Sequence, residues 1–370
     1  MSPAAAGSRF SSYLGAGAGM ASEKSSLTKD WMKIGSRDRQ RLLRLVARFA
    51  GQRIVLLGDL VADEFVQGEI TRVSREAPVL ILKERERRIV PGGGANAANN
   101  LADLGVELTL LGAVGDDEAG NALLDYFRAK RVSTEGVIRP PDYRTPTKSR
   151  LLGALGHGRP QQIVRVDREP AAPLPAALRH RLAESAAKHL DKAAALLVSD
   201  YGYGAASPRE LEWLRRRNSF GGRRPPITLD SRYDLRRYSG VTAATPNEPE
   251  MEQAFGLRVD GRLEVLHRLA QRVLRRQRFR ALVVTRGREG MVLYEPGRAP
   301  RALGIFGSDE VTDVTGAGDT VIAVFTAALA AGAGFLDAAR LSNCAGGLVA
   351  MKSGTATVTA RELAEAIRNA

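Results

Sequence analysis

The amino-acid sequence predicts an α/β protein: a doubly wound, mainly parallel sheet with helices on both faces, plus a small β lid drawn from discontinuous segments. Three observations lead there. From Ala195 onward, short branched-aliphatic runs alternate with helical patterns, the order that repeated strand-helix units produce. Several strand-like runs end in a polar residue, at Asp59, Asp200, Asp230, Asn247 and Thr285, and the ligand crevice of such sheets lies at the carboxyl ends of the strands. Two stretches, about 67–90 and 137–167, are instead rich in branched and charged residues and bracket a helical segment; their strands can pair into one small sheet.

Taken in order, residues 1–36 form a tail that begins rich in Ala, Gly and Ser and has no continuous apolar core of a secretory signal. Disorder is expected there. Its low acidity also fits a transit peptide, and a start nearer Met20 is a further option. Residues 37–370 are read as one domain. Leu42, Leu45, Val46 and Phe49 fall at helical spacing, which predicts an amphipathic lead-in helix. The run Arg53–Gly58 is a buried-strand pattern ending at Asp59, with Asp63 four residues on. Two acids there suit hydrogen bonding to sugar hydroxyls, because a carboxylate accepts two such bonds with good geometry; a helix cap or surface turn is the competing reading. Further strands are predicted at 195–200, 227–230, 241–247 and 281–287, with helices near 208–216 and 263–276.

Composition narrows the class. Of 370 residues 44% are hydrophobic, enough for a large core, and no uninterrupted apolar segment is long enough to span a bilayer. A soluble, cytoplasmic protein that engages no membrane is expected. The single cysteine excludes an internal disulfide, and four scattered histidines offer no zinc-ligand spacing. The formal net charge is +14, but six of those charges fall within residues 1–50 and the arginine clusters lack interleaved aromatics. Solvated faces explain them better than a nucleic-acid groove.

Two glycine-rich stretches carry chemistry. In Pro91–Leu101, Gly93 and Gly94 allow close backbone approach to a ligand, a helix should start there, and Asn96 offers both donor and acceptor to a hydroxyl. A G-x-G-x-x-G pattern after the first strand is absent, which disfavours dinucleotide binding. In Thr312–Thr320, Gly316, Ala317 and Gly318 precede Asp319 and a small-residue helical run. Backbone amides of that turn, completed by the helix start, make an anion site. A carboxylate beside a phosphoryl group makes sense as the base that takes the proton of an attacking hydroxyl. The competing reading is an ordinary glycine turn before a buried helix with a capping aspartate.

These features, in order, resemble the PfkB, or ribokinase-like, carbohydrate kinase family from Arg53 to the C-terminus. The resemblance is carried by the Gly58-Asp59 strand end, the glycines before Asn96, Asn247-Glu248-Pro249-Glu250 as the family's N-x-x-E, Thr285-Arg286-Gly287, and Gly316-Ala317-Gly318-Asp319. It implies a ribokinase-like fold and phosphorylation of a sugar hydroxyl by ATP. Asp319 would be the base and the Gly316–Gly318 amides the anion hole. ATP would lie beside Asn247, Thr285, Arg286, Gly287 and Asn343. Glu250 with Asn247 would order Mg2+ through water. Some members also bind a monovalent cation near the position of Asp313.

A closer resemblance, to kinases acting on D-glycero-D-manno-heptose 7-phosphate and to the kinase half of the bifunctional heptose enzyme, rests on Thr71–Val79, Pro91–Gly93, Gln161–Asp167, Ser199-Asp200-Tyr201 and Asp313–Thr320. It implies transfer to the anomeric hydroxyl, in nucleotide-heptose and envelope polysaccharide synthesis. A phosphorylated substrate needs cations, for which Arg72, Arg165 and Arg232 are the candidates. Asp230-Ser231-Arg232 departs from the Asp-Pro-Lys of those kinases, and Arg75 replaces a usual proline. No H-x-G-H-type nucleotidyltransferase segment follows, so a separate polypeptide is expected to supply that step. Homodimerisation through the lid is also expected. The alternatives are a kinase for another sugar or nucleoside, or a non-catalytic sensor.

Overall fold

The computed structural model describes residues 34–154, 158, 160–217, 224–307, 315–352 and 354–370. Most of the expected N-terminal tail, and Asp313 of the glycine loop, lie outside the described residues. The elements run α1 (Ser36–Ala47), β1 (Arg53–Gly58), β2 (Leu60–Val73), β3 (Leu80–Gly92), α2 (Gly93–Asp103), β4 (Glu107–Ala113), α3 (Glu118–Ala129), β5 (Val137–Ile138), β6 (Thr147–Ala154) and β7 (Gln161–Arg168). They continue with α4 (Ala176–Leu190), β8 (Ala195–Asp200), α5 (Pro208–Arg217), β9 (Ile227–Ser231), β10 (Ala243–Ala244), α6 (Glu248–Phe255), α7 (Leu263–Gln277), β11 (Ala281–Thr285), β12 (Met291–Tyr294), β13 (Arg301–Leu303), α8 (Ala317–Ala330), α9 (Phe335–Ala350) and α10 (Ala360–Asn369).

The main sheet has nine strands in the order β13-β12-β11-β10-β9-β8-β1-β4-β5. It is parallel from β5 to β11, and β12 and β13 close one edge antiparallel. Along β1, Ile54 and Leu56 enter one core while Val55 and Leu57 enter the other, as the strand period of two requires. The first core is covered by α1, α2, α3, α8, α9 and α10, the second by α4 to α7. The sheet is therefore wound on both faces. Leu42, Leu45, Val46 and Phe49 of the lead-in segment are buried as their spacing predicts, and Arg41 pins that helix to Asp337 of α9 at 2.6 Å.

The second sheet, ordered β3-β2-β6-β7, is the lid. Its composition from two separate stretches agrees with the sequence reading, but its limits do not. Strand β2 starts at Leu60, well before residue 67, because its first residues are buried on both faces and show no alternation. Val137–Ile138 pairs with β4 at the edge of the main sheet rather than joining the lid.

Candidate active site

Helix α8 opens with Gly316 in the left-handed region (φ 79°), and no side chain caps it. A Cβ on Gly316 would also lie 2.5 Å from Asn96 Nδ2, so both backbone and space demand glycine. An uncapped helix start leaves first-turn amides for an anion. Ala317 and Gly318 form that turn, and Gly318 is exposed with open space where a side chain would stand.

Asp319, one residue further, is only 5% exposed. Asn96 Nδ2 donates to its Oδ2 at 2.9 Å, and the Tyr201 hydroxyl donates to its Oδ1 at 2.8 Å. Behind Asn96, Asn100 Nδ2 donates to Asn96 Oδ1 at 3.3 Å, and Thr320 Oγ1 donates to Asn100 Oδ1 at 2.9 Å. Asn96 therefore orients the carboxylate from a relay of buried amides. Burial pushes the Asp319 pKa up to about 7, against the hydrogen bonds from Asn96 and Tyr201; Asp63 pushes it further up and Lys148 pulls it down. A group so poised is suited to accept a proton near neutral pH.

Asp63, on β2 at the mouth of the lid, is buried and paired with Arg150 at 2.7 Å. Beside it stands Lys148, for which no ion pair is found among the described residues. Burial lowers its pKa, and Arg232 and Arg165 lower it further while Asp63 opposes them. Its ammonium lies 5.1 Å from the centre of the Tyr201 ring. A half-enclosed cation with two guanidiniums for neighbours fits an anionic ligand.

Of the three arginines expected to meet a substrate phosphate, two lie in this neighbourhood. Arg232 is 3.9 Å from Glu250, whereas Arg165 is spent on a two-pronged bond to Asp167 of its own strand, at 2.8 and 2.9 Å. Arg72 is not brought there. It is exposed, opposite Ile81 on the outer part of the lid hairpin, and nine residues of strand separate it from Asp63, about 30 Å at the rise of an extended chain.

Asp59 also has a different job from the one expected. Its Oδ2 accepts the N–H groups of Tyr201 (2.8 Å) and Tyr203 (3.0 Å), and its Oδ1 that of Ala205 (2.7 Å). The carboxylate is consumed in holding the loop after β8. Asp200 acts likewise, accepting from Tyr238 at 2.8 Å and Ser231 at 3.1 Å. Gly94 serves close packing: its N–H bonds the Asp59 carbonyl at 3.1 Å, and a Cβ would strike that oxygen at 2.6 Å. Gly93 bridges to Leu60 alongside.

Of the residues expected near nucleotide, Asn247, Thr285, Arg286 and Gly287 gather at the ends of β10 and β11. Asn247 bridges to Thr285 and caps α6 through a reciprocal box with Glu250. Arg286 is buried between Glu248 (3.1 Å) and Glu289 (2.5 Å), which makes it an internal pin, and Gly287 begins the short turn that follows. Asn343 of α9 donates to the Gly304 carbonyl at 2.5 Å and so fixes the segment after β13. Among the described residues no three His, Cys, Asp or Glu side chains converge to cage a metal. The donor set does fit a divalent cation carried in with phosphate and water. Burial raises the pKa of both Glu250 and Asp230, and Glu250 and Asp319 repel the Asp230 charge further; a dication relieves that crowding.

Tyr201, Lys148, Arg150, Asn100 and Asp230 thus join the site; of these the sequence reading names Asp230 only as a polar strand end and Tyr201 only within a resembling run, and assigns none of them a role. Strand alternation was the available signal for Lys148 and Arg150, which share a face of β6, and helical spacing for Asn100, one turn beyond Asn96. Tyr201 is marked only as part of the Ser199-Asp200-Tyr201 run, and its contact with the base cannot be read there because its place depends on the distant Asp59.

The profile for "pfkB family carbohydrate kinase" matches residues 53–361. The chain is 35% identical over 334 residues to the bifunctional protein HldE of Pelobacter propionicus, and 37% identical over 328 residues to that of Geobacter sulfurreducens. Those matches cover 89% and 88% of this chain but 66% and 65% of the relatives, just under two thirds of their length. In fold it is similar to the ribokinase of Arabidopsis thaliana solved with ribose and ATP (TM-score 0.68, 18% identity, 86% of this chain and 99% of that one). It is similar also to the phosphofructokinase-2 of Escherichia coli solved with potassium (TM-score 0.68, 17% identity, the same coverage). With the family profile matched across both sheets and the ribokinase-like fold around them, the chain belongs to the pfkB family of carbohydrate kinases.

Proposed function

We propose that this carbohydrate kinase transfers the terminal phosphoryl group of ATP to the anomeric hydroxyl of D-glycero-β-D-manno-heptose 7-phosphate, giving the 1,7-bisphosphate and ADP. The observation that carries the reaction is Asp319, a buried carboxylate gripped by two donors in the first turn of an uncapped helix start. The sugar oxygen attacks the outermost phosphorus, the bond from that phosphorus to the ADP oxygen breaks, and the hydroxyl proton passes to Asp319. First-turn amides of α8, among them those of Ala317 and Gly318, meet the charge of the transferring group. Magnesium, when bound, neutralises the triphosphate; Glu250 and Asn247, with Asp230, would hold its water shell.

Two observations support the phosphorylated heptose. The relatives at 35% and 37% identity are bifunctional HldE proteins, and the sequence resembles the kinase half of the bifunctional heptose enzyme. Lys148 beside Asp63, with Arg232 near it, also leaves a cation fit for a second phosphate, while Arg165 is held by Asp167. In this reading the kinase works in the cytoplasm and a nucleotidyltransferase activity acts on its product. Val73, Val79, Leu80, Ile163, Val164 and Val166 leave the lid with exposed apolar side chains, which supports pairing of two lids in a homodimer. Sedimentation showing only monomer at micromolar concentration would remove the dimer.

The test is a coupled ADP-release panel of heptose 7-phosphate, ribose, fructose, fructose phosphates and adenosine. Heptose 7-phosphate should exceed every other acceptor in kcat/KM by about a hundredfold or more. Turnover of a non-heptose acceptor alone would replace the substrate and keep the kinase.

A further inference from the structure

Tyr201 lies on the loop that leaves β8, and everything about its surroundings fixes the position of its hydroxyl. Its backbone N–H is tied to Asp59 Oδ2 at 2.8 Å, and the same carboxylate takes the N–H groups of Tyr203 and Ala205, so the loop is held at three points. Its ring is covered by the Lys148 ammonium from lid strand β6, 5.1 Å from the ring centre. Its hydroxyl is directed at Asp319 Oδ1, at 2.8 Å. Asn96 holds the other oxygen. A carboxylate with one donor on each oxygen cannot rotate without breaking a hydrogen bond, so its remaining lone pairs point in a fixed direction.

From this geometry we propose that Tyr201 is a positioning residue for the base: its hydroxyl sets the orientation and the proton affinity of Asp319. The proposal rests on the kinase reading for its catalytic meaning, though not for the Tyr201–Asp319 bond itself. Burial and the nearby negative charges of Asp319, Asp230 and Glu250 keep the tyrosine well above its ordinary pKa, so it is neutral and able to donate. Donation favours the ionised carboxylate. The charged groups facing Asp319 are Asp63 from β2, Lys148 from β6 and Asp230 from β9, and none of these changes when only the hydroxyl is removed.

The decisive measurement follows the ionisation of Asp319 by carbon-13 NMR in protein labelled at aspartate carboxyl carbons, with Asp319→Asn identifying the resonance. In Tyr201→Phe the midpoint should rise by about one pH unit, the scale of a lost charge-assisted hydrogen bond. The acid limb of the kcat/KM profile should rise with it, while KM for ATP stays within about twofold. If Tyr201→Phe does not fold, 3-fluorotyrosine at position 201 gives a stronger donor and should move the midpoint down. Coincident titrations in parent and variant, for whichever variant folds, would overturn the proposal. A shifted midpoint in a protein that phosphorylates no sugar would uphold the coupling while overturning the kinase reading.

Discussion

The crevice of the main sheet and the inner face of the lid supply different kinds of groups to one site. At Asp319 each carboxylate oxygen is spoken for, and the relay through Asn96, Asn100 and Thr320 is buried throughout. On the lid, β7 is exposed from Gln161 to Asp167, and Arg165 satisfies itself on a neighbour of its own strand. The candidate base is thus held where packing is dense, and in the proposed reading recognition falls to the lid, whose outer strand has few buried contacts to hold it still. Rigid placement matters most for the atom that moves a proton, whereas a loosely held cation can adjust to the anion that arrives.

Three substitutions test that division, the most damaging first. Asp319→Asn should lower kcat by about a hundredfold or more while ATP still binds, as measured by turnover and calorimetry; unchanged turnover would remove Asp319 from the chemistry. The same variant reports on stability. Burial raises the folded pKa of Asp319 to about 7, so its neutral form is the one folding favours. That contribution is complete below the unfolded value near 3.9 and is lost as pH rises through about 7. Relative to the parent, Asp319→Asn should therefore melt higher at pH 8 than at pH 5.

Lys148→Met should act on recognition, lowering kcat/KM for a phosphorylated acceptor about tenfold to a hundredfold, the range for a charge-assisted contact. An unphosphorylated sugar should be affected much less, and equal losses for the two would take Lys148 out of phosphate binding. Smallest is Arg72→Ala, expected to change kcat/KM by less than about twofold because that residue sits far along the hairpin. A tenfold loss would mean that the outer lid reaches a site after all, which a paired lid could bring about.

The order of elements was legible in the sequence because parallel strands buried on both faces stand out as short aliphatic runs between helical patterns. So was Asp319, since Gly316 before a run of small residues marks a tight helix start. What could not be read is how each polar strand end is used. Asp59, Asp200 and Asp230 look alike in sequence, yet the first two accept bonds from nearby loops and the third crowds Glu250 and Asp319. The difference is set by partners more than a hundred residues away in the case of Asp59, and no local period encodes it. Arg72 and Arg165 failed to separate for a related reason: alternation gives the face of a strand, not the distance along it.

The three N–H groups on Asp59 have a practical consequence for anyone surveying variants of this enzyme. Replacing Asp59 would release the loop beneath Tyr201, leave the buried Ala205 N–H without its acceptor at about 1–3 kcal/mol, and lower turnover through the loop alone. In an activity screen such a residue passes for part of the chemistry, and only a melting curve measured beside the rate would expose it as scaffolding.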